Sequence, residues 1–500
     1  MNFASAYKWL SDDSRKRRTL NSMGALLHWD QSTCIPENGR EHRAEQMAAL
    51  AGLVHNMGVN PEIGEKLAAC EELIKESSPG QAANLREWRR DYDRVSKIPE
   101  DLATALAKAS SRGESVWQKA RPENDWNSFL PHLKELISLR LEEAEAVGFE
   151  REPYDALLDE YEPGMTAEAL VPVFAELRDH LANLLQRIEE SGREPEIGIL
   201  RREYPIAEQD SFGREVARAI GFDFDSGRLD VSAHPFTTRI GPGDTRITTR
   251  YAENDFAQAF FGTVHETGHA LYGQGQRSDH YGEPLGESVS LGVHESQSRL
   301  WENGVARSMG FWKHFFPVAR KRFKALADVE FEDFFFAVNS VSPGLIRVEA
   351  DEVTYNLHVA LRFELELALT RKELTPEDFP DAWNEKMREF LSLDPPDFAS
   401  GVMQDVHWSA GLIGYFPTYT LGNLYAAQLL AAARSNLGDL NEMFSRGEFK
   451  PLLEWLRERI HTRGRLYEPA ELMRRASGME LRPDELIERL ETKYGGLYGV

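Results

Sequence analysis

One feature restricts this chain more than any other: a helical rhythm of apolar side chains runs through most of its 500 residues and breaks clearly in one place. Apolar positions recur every three to four residues, the period of an α-helix with one buried face. They do so over residues 43–55, 84–95, 101–118, 126–146 and 167–190, and again over 255–272, 288–303, 351–369, 380–393 and 421–435. Thr166 and Thr375 stand where helix N-caps are expected. The break covers residues 229–251, rich in Thr, Arg, Ile and Phe around the turn Gly241-Pro242-Gly243-Asp244, and reads as a β-hairpin. There is no internal repeat, low-complexity tract or long Pro/Gly/Ser linker. The expected fold is therefore mainly α, a single large helical body over residues 1–500 with a small β-hairpin or sheet. Length alone would have suggested about three domains. By size, residues 1–150 suit a helical lid or side wall, with residues 200–430 as the core beneath it.

Charge and cysteine usage narrow the partners. The formal net charge is -24, a field that repels nucleic acid and anionic membranes. Only Cys34 and Cys70 are present, so neither a disulfide framework nor a CxxC metal site is available. Residues 1–21 are polar and mixed in charge, with no apolar signal core, and the longest apolar runs, such as 426–433, are far shorter than the ~20 residues of a membrane span. A cytoplasmic protein is expected.

The chemistry is carried by Val264-His265-Glu266-Thr267-Gly268-His269-Ala270, which contains the pattern His-Glu-x-x-His. Residues four apart share a helix face, so the imidazoles of His265 and His269 can reach one ion at about 2.0–2.1 Å. Glu266 lies about 100° further round, close enough to act as a base on water that the ion activates, without being a ligand. The apolar run Phe256, Ala259, Phe260 and Phe261 would bury this helix and hold it rigid. A catalytic site of this kind needs a third protein ligand and an open position. No cysteine is near and no further histidine continues the pattern, so a downstream carboxylate is expected, from Asp279, Glu283, Glu287, Glu295 or Glu302. Spacing leaves Glu295 and Glu287 both open.

The segment His294-Glu295-Ser296-Gln297, following such a helix, resembles the thermostable carboxypeptidase Taq family of metallopeptidases, the M32 family. Further segments agree in order along the chain: Trp29-Asp30-Gln31, Tyr161-Glu162-Pro163-Gly164-Met165-Thr166, His234-Pro235-Phe236, Asp244-Thr245-Arg246-Ile247-Thr248, Ile346-Arg347-Val348-Glu349-Ala350-Asp351, and Gly401-Val402-Met403-Gln404-Asp405-Val406-His407-Trp408. One position departs: Gly273 stands where members often carry Glu, so the fine tuning of the metal is open. The resemblance implies a saddle-like, zincin-type helical fold with a deep active-site groove, often a homodimer. It implies metal-dependent removal of C-terminal residues from peptides with broad specificity. The metal would be one zinc ion per chain, or cobalt in some members.

On that footing His265, His269 and Glu295 are the expected ligands and Glu266 the general base and later proton donor. A donor to the developing oxyanion is sought among Tyr419, Tyr415, His407 and His234, with Tyr419 first. A free C-terminal carboxylate calls for an arginine fork. Arg347 and Arg246 are the candidates, with Gln404 and Tyr415 beside them, although Glu349 and Asp351 offer Arg347 a purely structural pairing. Arg299, one turn after Glu295, is expected to orient a carboxylate. The strand edge near 229–251 is a candidate surface for an extended peptide. Two alternatives stand beside this reading, an oligopeptidase cutting within short peptides and a metal-free helical scaffold.

Overall fold

The computed structural model describes residues 2–500. Nine helices precede the sheet: α1 (Phe3–Thr33), α2 (Arg40–Gly58), α3 (Pro61–Glu71), α4 (Pro79–Lys97), α5 (Glu100–Ala120), α6 (Trp126–Val147), α7 (Pro153–Leu158), α8 (Ala167–Glu190) and α9 (Ile206–Ile220). Strands β1 (Gly227–Val231), β2 (Thr237–Gly241) and β3 (Asp244–Thr249) follow. Eleven more helices complete the described chain: α10 (Phe256–Gly275), α11 (Leu291–Arg299), α12 (Met309–Arg322), α13 (Phe331–Val338), α14 (Tyr355–Thr370), α15 (Phe379–Leu391), α16 (Pro417–Leu437), α17 (Leu440–Ser445), α18 (Lys450–Arg459), α19 (Pro469–Ser477) and α20 (Asp484–Tyr498). None is long and apolar enough to cross a membrane.

Each segment with a helical rhythm forms a helix, and the departures have physical causes. α1 has no signature in the rhythm because only Phe3, Ala6, Leu10 and Trp29 of its 31 residues are buried. Thr166 caps α8 by accepting from Ala169 N–H, but Thr375 does not cap α15, which begins at Phe379 after Asp378. The segment 351–369 becomes helical only at Tyr355, because the Asp351 carboxylate first gathers the N–H groups of Val353 and Thr354 in a local turn. The segment 288–303 splits: α11 ends at Arg299 and a π-helical stretch covers Leu300–Ala306.

The hairpin reading captured only half of the sheet. β2 and β3 pair antiparallel around Gly243, whose φ of +77° suits glycine. β1 then joins β3 in parallel, Gly227 opposite Thr245 through Val231 opposite Thr249, giving the order β1-β3-β2. Residues 232–236 carry the chain back across the sheet, a connection that alternation within single strands does not encode.

One core runs from α5 through α20, and a second, smaller one joins α1, α3 and α4 through Phe3, Leu10, Ile63, Leu67, Leu85 and Trp88. Polar contacts fasten the smaller unit to the larger. Glu283 accepts from Ser11 Oγ at 2.6 Å and Asn84 Nδ2 at 3.2 Å. Trp29 of α1 lies against the guanidinium groups of Arg228 and Arg246 on the sheet, at 4.9 and 4.3 Å.

Candidate metal centre

α10 is anchored before its functional residues begin. Asp255 caps it by accepting from Gln258 N–H, and Phe256 and Phe260 pack into a cluster with Phe212, Trp312 and Phe323. A helix buried on that face has little freedom to turn, so the imidazoles of His265 and His269 emerge together, ring centres 4.9 Å apart. α11 is anchored as firmly: Ser290 accepts from Val293 N–H, and the buried Glu162 accepts from Gly292 N–H at 3.0 Å.

Two glycines let the helices meet. A Cβ on Gly268 would lie 2.6 Å from the Gln297 carbonyl oxygen of α11, and one on Gly422 of α16 would lie 2.4 Å from Glu295 Cγ. Backbone contact at these points seats Glu295 against α10. His265, His269 and Glu295 then each offer a ligand atom within 4.8 Å of the other two. Glu295 Oε2 is 3.3 Å from His269 Nε2 and 3.8 Å from His265 Nε2.

The remaining atoms fit a cation. His265 Nδ1–H donates to Glu302 Oε2 at 2.8 Å and His269 Nδ1–H to the His294 carbonyl at 3.1 Å. Both Nε2 lone pairs are thereby left to face Glu295 Oε2, the arrangement a metal-binding histidine requires. Glu295 Oε1 accepts from Arg299 Nε at 2.7 Å. Burial alone would raise the Glu295 carboxyl, but Arg299 and the two imidazoles hold it well below the usual carboxylate range. Burial likewise pushes His265 down, and Glu295 and Glu302 more than offset it, so its affinity for a proton rises. The potential that attracts a proton there also attracts a cation. The site reaches solvent, with the His265 side chain 20% exposed.

Glu266 is buried next to His265 in the chain, and its Oε2 accepts from Thr237 Oγ1 at 2.6 Å. The same hydroxyl lies 2.9 Å from the Glu266 carbonyl oxygen, so β2 fixes both ends of the residue. Sequence reasoning passed over Thr237, although it directly follows His234-Pro235-Phe236.

The other expected site residues fall into two groups. Tyr419, Tyr415 and His407 are together: His407 Nε2 is 3.1 Å from the Tyr419 hydroxyl, and the tyrosine rings are 5.4 Å apart. Burial holds His407 neutral, its basicity pushed down to about 3, and raises both tyrosines. Arg347 lies over the Tyr419 ring at 4.9 Å. Its salt-bridge partner is neither Glu349 nor Asp351 but Asp405, whose Oδ1 accepts from Arg347 Nε and Nη2 and whose Oδ2 accepts from Arg362 Nε. Arg347 Nη1 donates to the Tyr355 hydroxyl at 3.1 Å, which accounts for three of the five N–H groups of a guanidinium.

The second group is engaged elsewhere. Gln404, expected at the substrate, uses both polar atoms within the protein: Oε1 accepts from Arg347 N–H, and Nε2 donates to Leu345, Ser400 and Gly401 carbonyls. The fork of Arg246 is filled by Asp244 at 2.8 and 2.7 Å. His234 is exposed on the connection between β1 and β2. Of the other carboxylates considered as ligands, Asp279 pairs with Arg277, Glu283 with His280, and Glu287 with Arg18. Glu302 takes the outer nitrogen of His265. Gly273 faces Thr245 and Arg239, where a Cβ would meet Thr245 Cγ2 at 3.3 Å.

Comparison with known proteins follows the same line. The sequence model of the family described as carboxypeptidase Taq (M32) metallopeptidase matches residues 10–494. Thermostable carboxypeptidase 1 of Thermus thermophilus is 54% identical over 506 aligned residues, covering 99% of each chain. Carboxypeptidase 1 of Bacillus subtilis is 37% identical over 95% of each. The crystal structure of the M32 carboxypeptidase from Deinococcus radiodurans superposes with a TM-score of 0.97 at 41% identity, covering 99% of this chain and 100% of that one.

Proposed function

The chain belongs to the carboxypeptidase Taq (M32) family of metallopeptidases and is a metal-dependent carboxypeptidase, and from that premise we propose that His265, His269 and Glu295 hold its ion and that Glu266 is its general base. The observation that carries this reading is the convergence of two free Nε2 atoms on Glu295 Oε2 while every outer nitrogen is already bonded. We take the ion to be one zinc per chain, with cobalt able to substitute, because two imidazoles and a carboxylate suit a borderline metal. A divalent ion held there supplies Lewis acidity, polarising the scissile carbonyl and acidifying water.

The chain's own residues do the rest. Glu266, steadied by Thr237, takes a proton from water as its oxygen attacks the carbonyl carbon. It returns that proton to the departing amine nitrogen as the C–N bond breaks. The Tyr419 hydroxyl, with His407 behind it, donates to the oxyanion, and Tyr415 supports it. Arg347, held by Asp405 with two N–H groups to spare, donates to the substrate's terminal carboxylate. Arg246 orders the sheet through Asp244 and Trp29, and β2, an edge strand in the order β1-β3-β2, is the surface for an extended peptide. Residues 1–150 serve as a lid or side wall over the core of residues 200–430, and the working form is a cytoplasmic homodimer.

The experiment is a pair of peptides alike except for C-terminal amidation. The free acid should be shortened one residue at a time and the amide should resist. Internal cleavage of both would favour an oligopeptidase. Glu266→Gln should keep the metal and lose activity by orders of magnitude.

A further inference from the structure

Arg299 touches both arms of the metal site. Its Nε donates to Glu295 Oε1 at 2.7 Å and its Nη1 reaches Glu302 Oε2 at 3.4 Å. That same Glu302 oxygen accepts from His265 Nδ1–H at 2.8 Å. The guanidinium lies over the Tyr355 ring at 4.2 Å, which restricts its tilt. Arg299 is the last residue of α11, and Glu302 falls in the π-helical stretch Leu300–Ala306 that follows. Wide turns of this kind cost regular hydrogen bonding and are concentrated at functional sites.

We infer that Arg299 and Glu302 form a brace that locks α10, through His265, to α11, through Glu295, and so sets how tightly the ion is held. The inference rests on the ligand reading above. Both are positioning residues. Arg299 occupies Glu295 Oε1, and Oε2, which also accepts from Ser298 Oγ at 3.1 Å, is the oxygen turned toward the histidines. Glu302 fixes the His265 tautomer with the proton on Nδ1 and the lone pair on Nε2. Loss of Arg299 chiefly loosens Glu295 and loss of Glu302 chiefly loosens His265, and either breaks the link between the two helices.

The sign of the effect separates this role from simple electrostatics. A guanidinium near a divalent ion repels it, so by Coulomb repulsion alone its removal should tighten binding. A brace predicts the opposite. The test uses the full chain stripped of metal, titrated with Zn2+ against a chromophoric chelator and, separately, with Co2+ followed by its visible absorption. Arg299→Gln should weaken Zn2+ binding about 10- to 100-fold, the range typical for outer partners of metal ligands, and should shift the Co2+ bands. Arg299→Lys should recover part of the loss, since an ammonium can reach Glu295 but cannot form the fork. Glu302→Gln, nearly isosteric and less prone to misfold, should weaken Zn2+ several-fold and alter the same bands. Unchanged or tighter Zn2+ binding in folded Arg299→Gln and Glu302→Gln, while Glu295→Ala loses the ion, overturns the brace alone. Retention of the ion by Glu295→Ala overturns the ligand assignment and the brace with it.

Discussion

Gly422→Ala is the substitution for which the structure predicts the largest consequence from the smallest change. Gly422 lies inside α16, in its second turn, where alanine ordinarily favours the helix by about 1 kcal/mol. Here the new Cβ would fall 2.4 Å from Glu295 Cγ, 2.7 Å from its Cβ and 3.1 Å from its carbonyl carbon. Glu295 cannot swing aside, because Arg299 and Ser298 hold its carboxylate. Relief to an ordinary contact near 3.4 Å therefore needs α11 and α16 to part by about 1 Å. Overpacking costs about 1–3 kcal/mol, so net stability should change little, falling by about 0–2 kcal/mol. The metal is more sensitive, since ligand distances are tolerated to only about ±0.2 Å. Zn2+ affinity measured by chelator competition should fall at least about tenfold. Gly310→Ala, whose Cβ would strike the Asn441 carbonyl oxygen at 2.1 Å on a different helix contact, should destabilise the fold and leave Zn2+ affinity alone. Wild-type Zn2+ binding in folded Gly422→Ala would refute the claim that this close approach places Glu295.

Other predictions follow from the same contacts. Burial pushes the Glu162 carboxyl from an ordinary 4.5 up to about 7. Between those values the folded chain keeps a proton that the unfolded chain has released, so stability falls as pH rises through the window, by about 3 kcal/mol in all. Glu162→Gln, whose amide can accept from Gly292 N–H and donate to the Tyr425 oxygen, should gain on wild type in melting temperature from pH 5 to pH 8; a constant difference would contradict this. Asp405→Ala leaves Arg347 and Arg362 buried without their shared carboxylate, and should cost about 3–5 kcal/mol in denaturant unfolding. Thr237→Val removes the hydroxyl on Glu266; kcat should fall about 10- to 100-fold with metal content unchanged, and an unaltered kcat would remove Thr237 from the site.

Much of this could be read from the sequence, and what could not has a common cause. Helix periodicity and the four-residue spacing of His265 and His269 are local properties, so the helical body and the pairing of these two imidazoles on one helix face follow from neighbours in the chain. Spacing does not single out Glu295 among the downstream acids, because its approach depends on Gly268 and Gly422, which come from two other helices. Glu302 is another acid that spacing leaves open as a ligand, and its place at the outer nitrogen of His265 depends on the π-helical turn, which no periodicity announces. Neighbours in the chain point Arg347 to Glu349 and Asp351, whereas its partner Asp405 lies 58 residues away. β1 was hidden for the same reason: parallel pairing with β3 needs a return crossing rather than a turn.

The central claim is that His265, His269 and Glu295 share one ion, and anomalous diffraction from crystals soaked in Zn2+, recorded on either side of the zinc absorption edge, tests it most directly. The account predicts a single peak in each chain about 2.0–2.2 Å from His265 Nε2, His269 Nε2 and one Glu295 oxygen, with Glu266 close by and uncoordinated. A peak bound by Glu287 or Glu302 in place of Glu295, or no peak between the two histidines at saturating Zn2+, would contradict it.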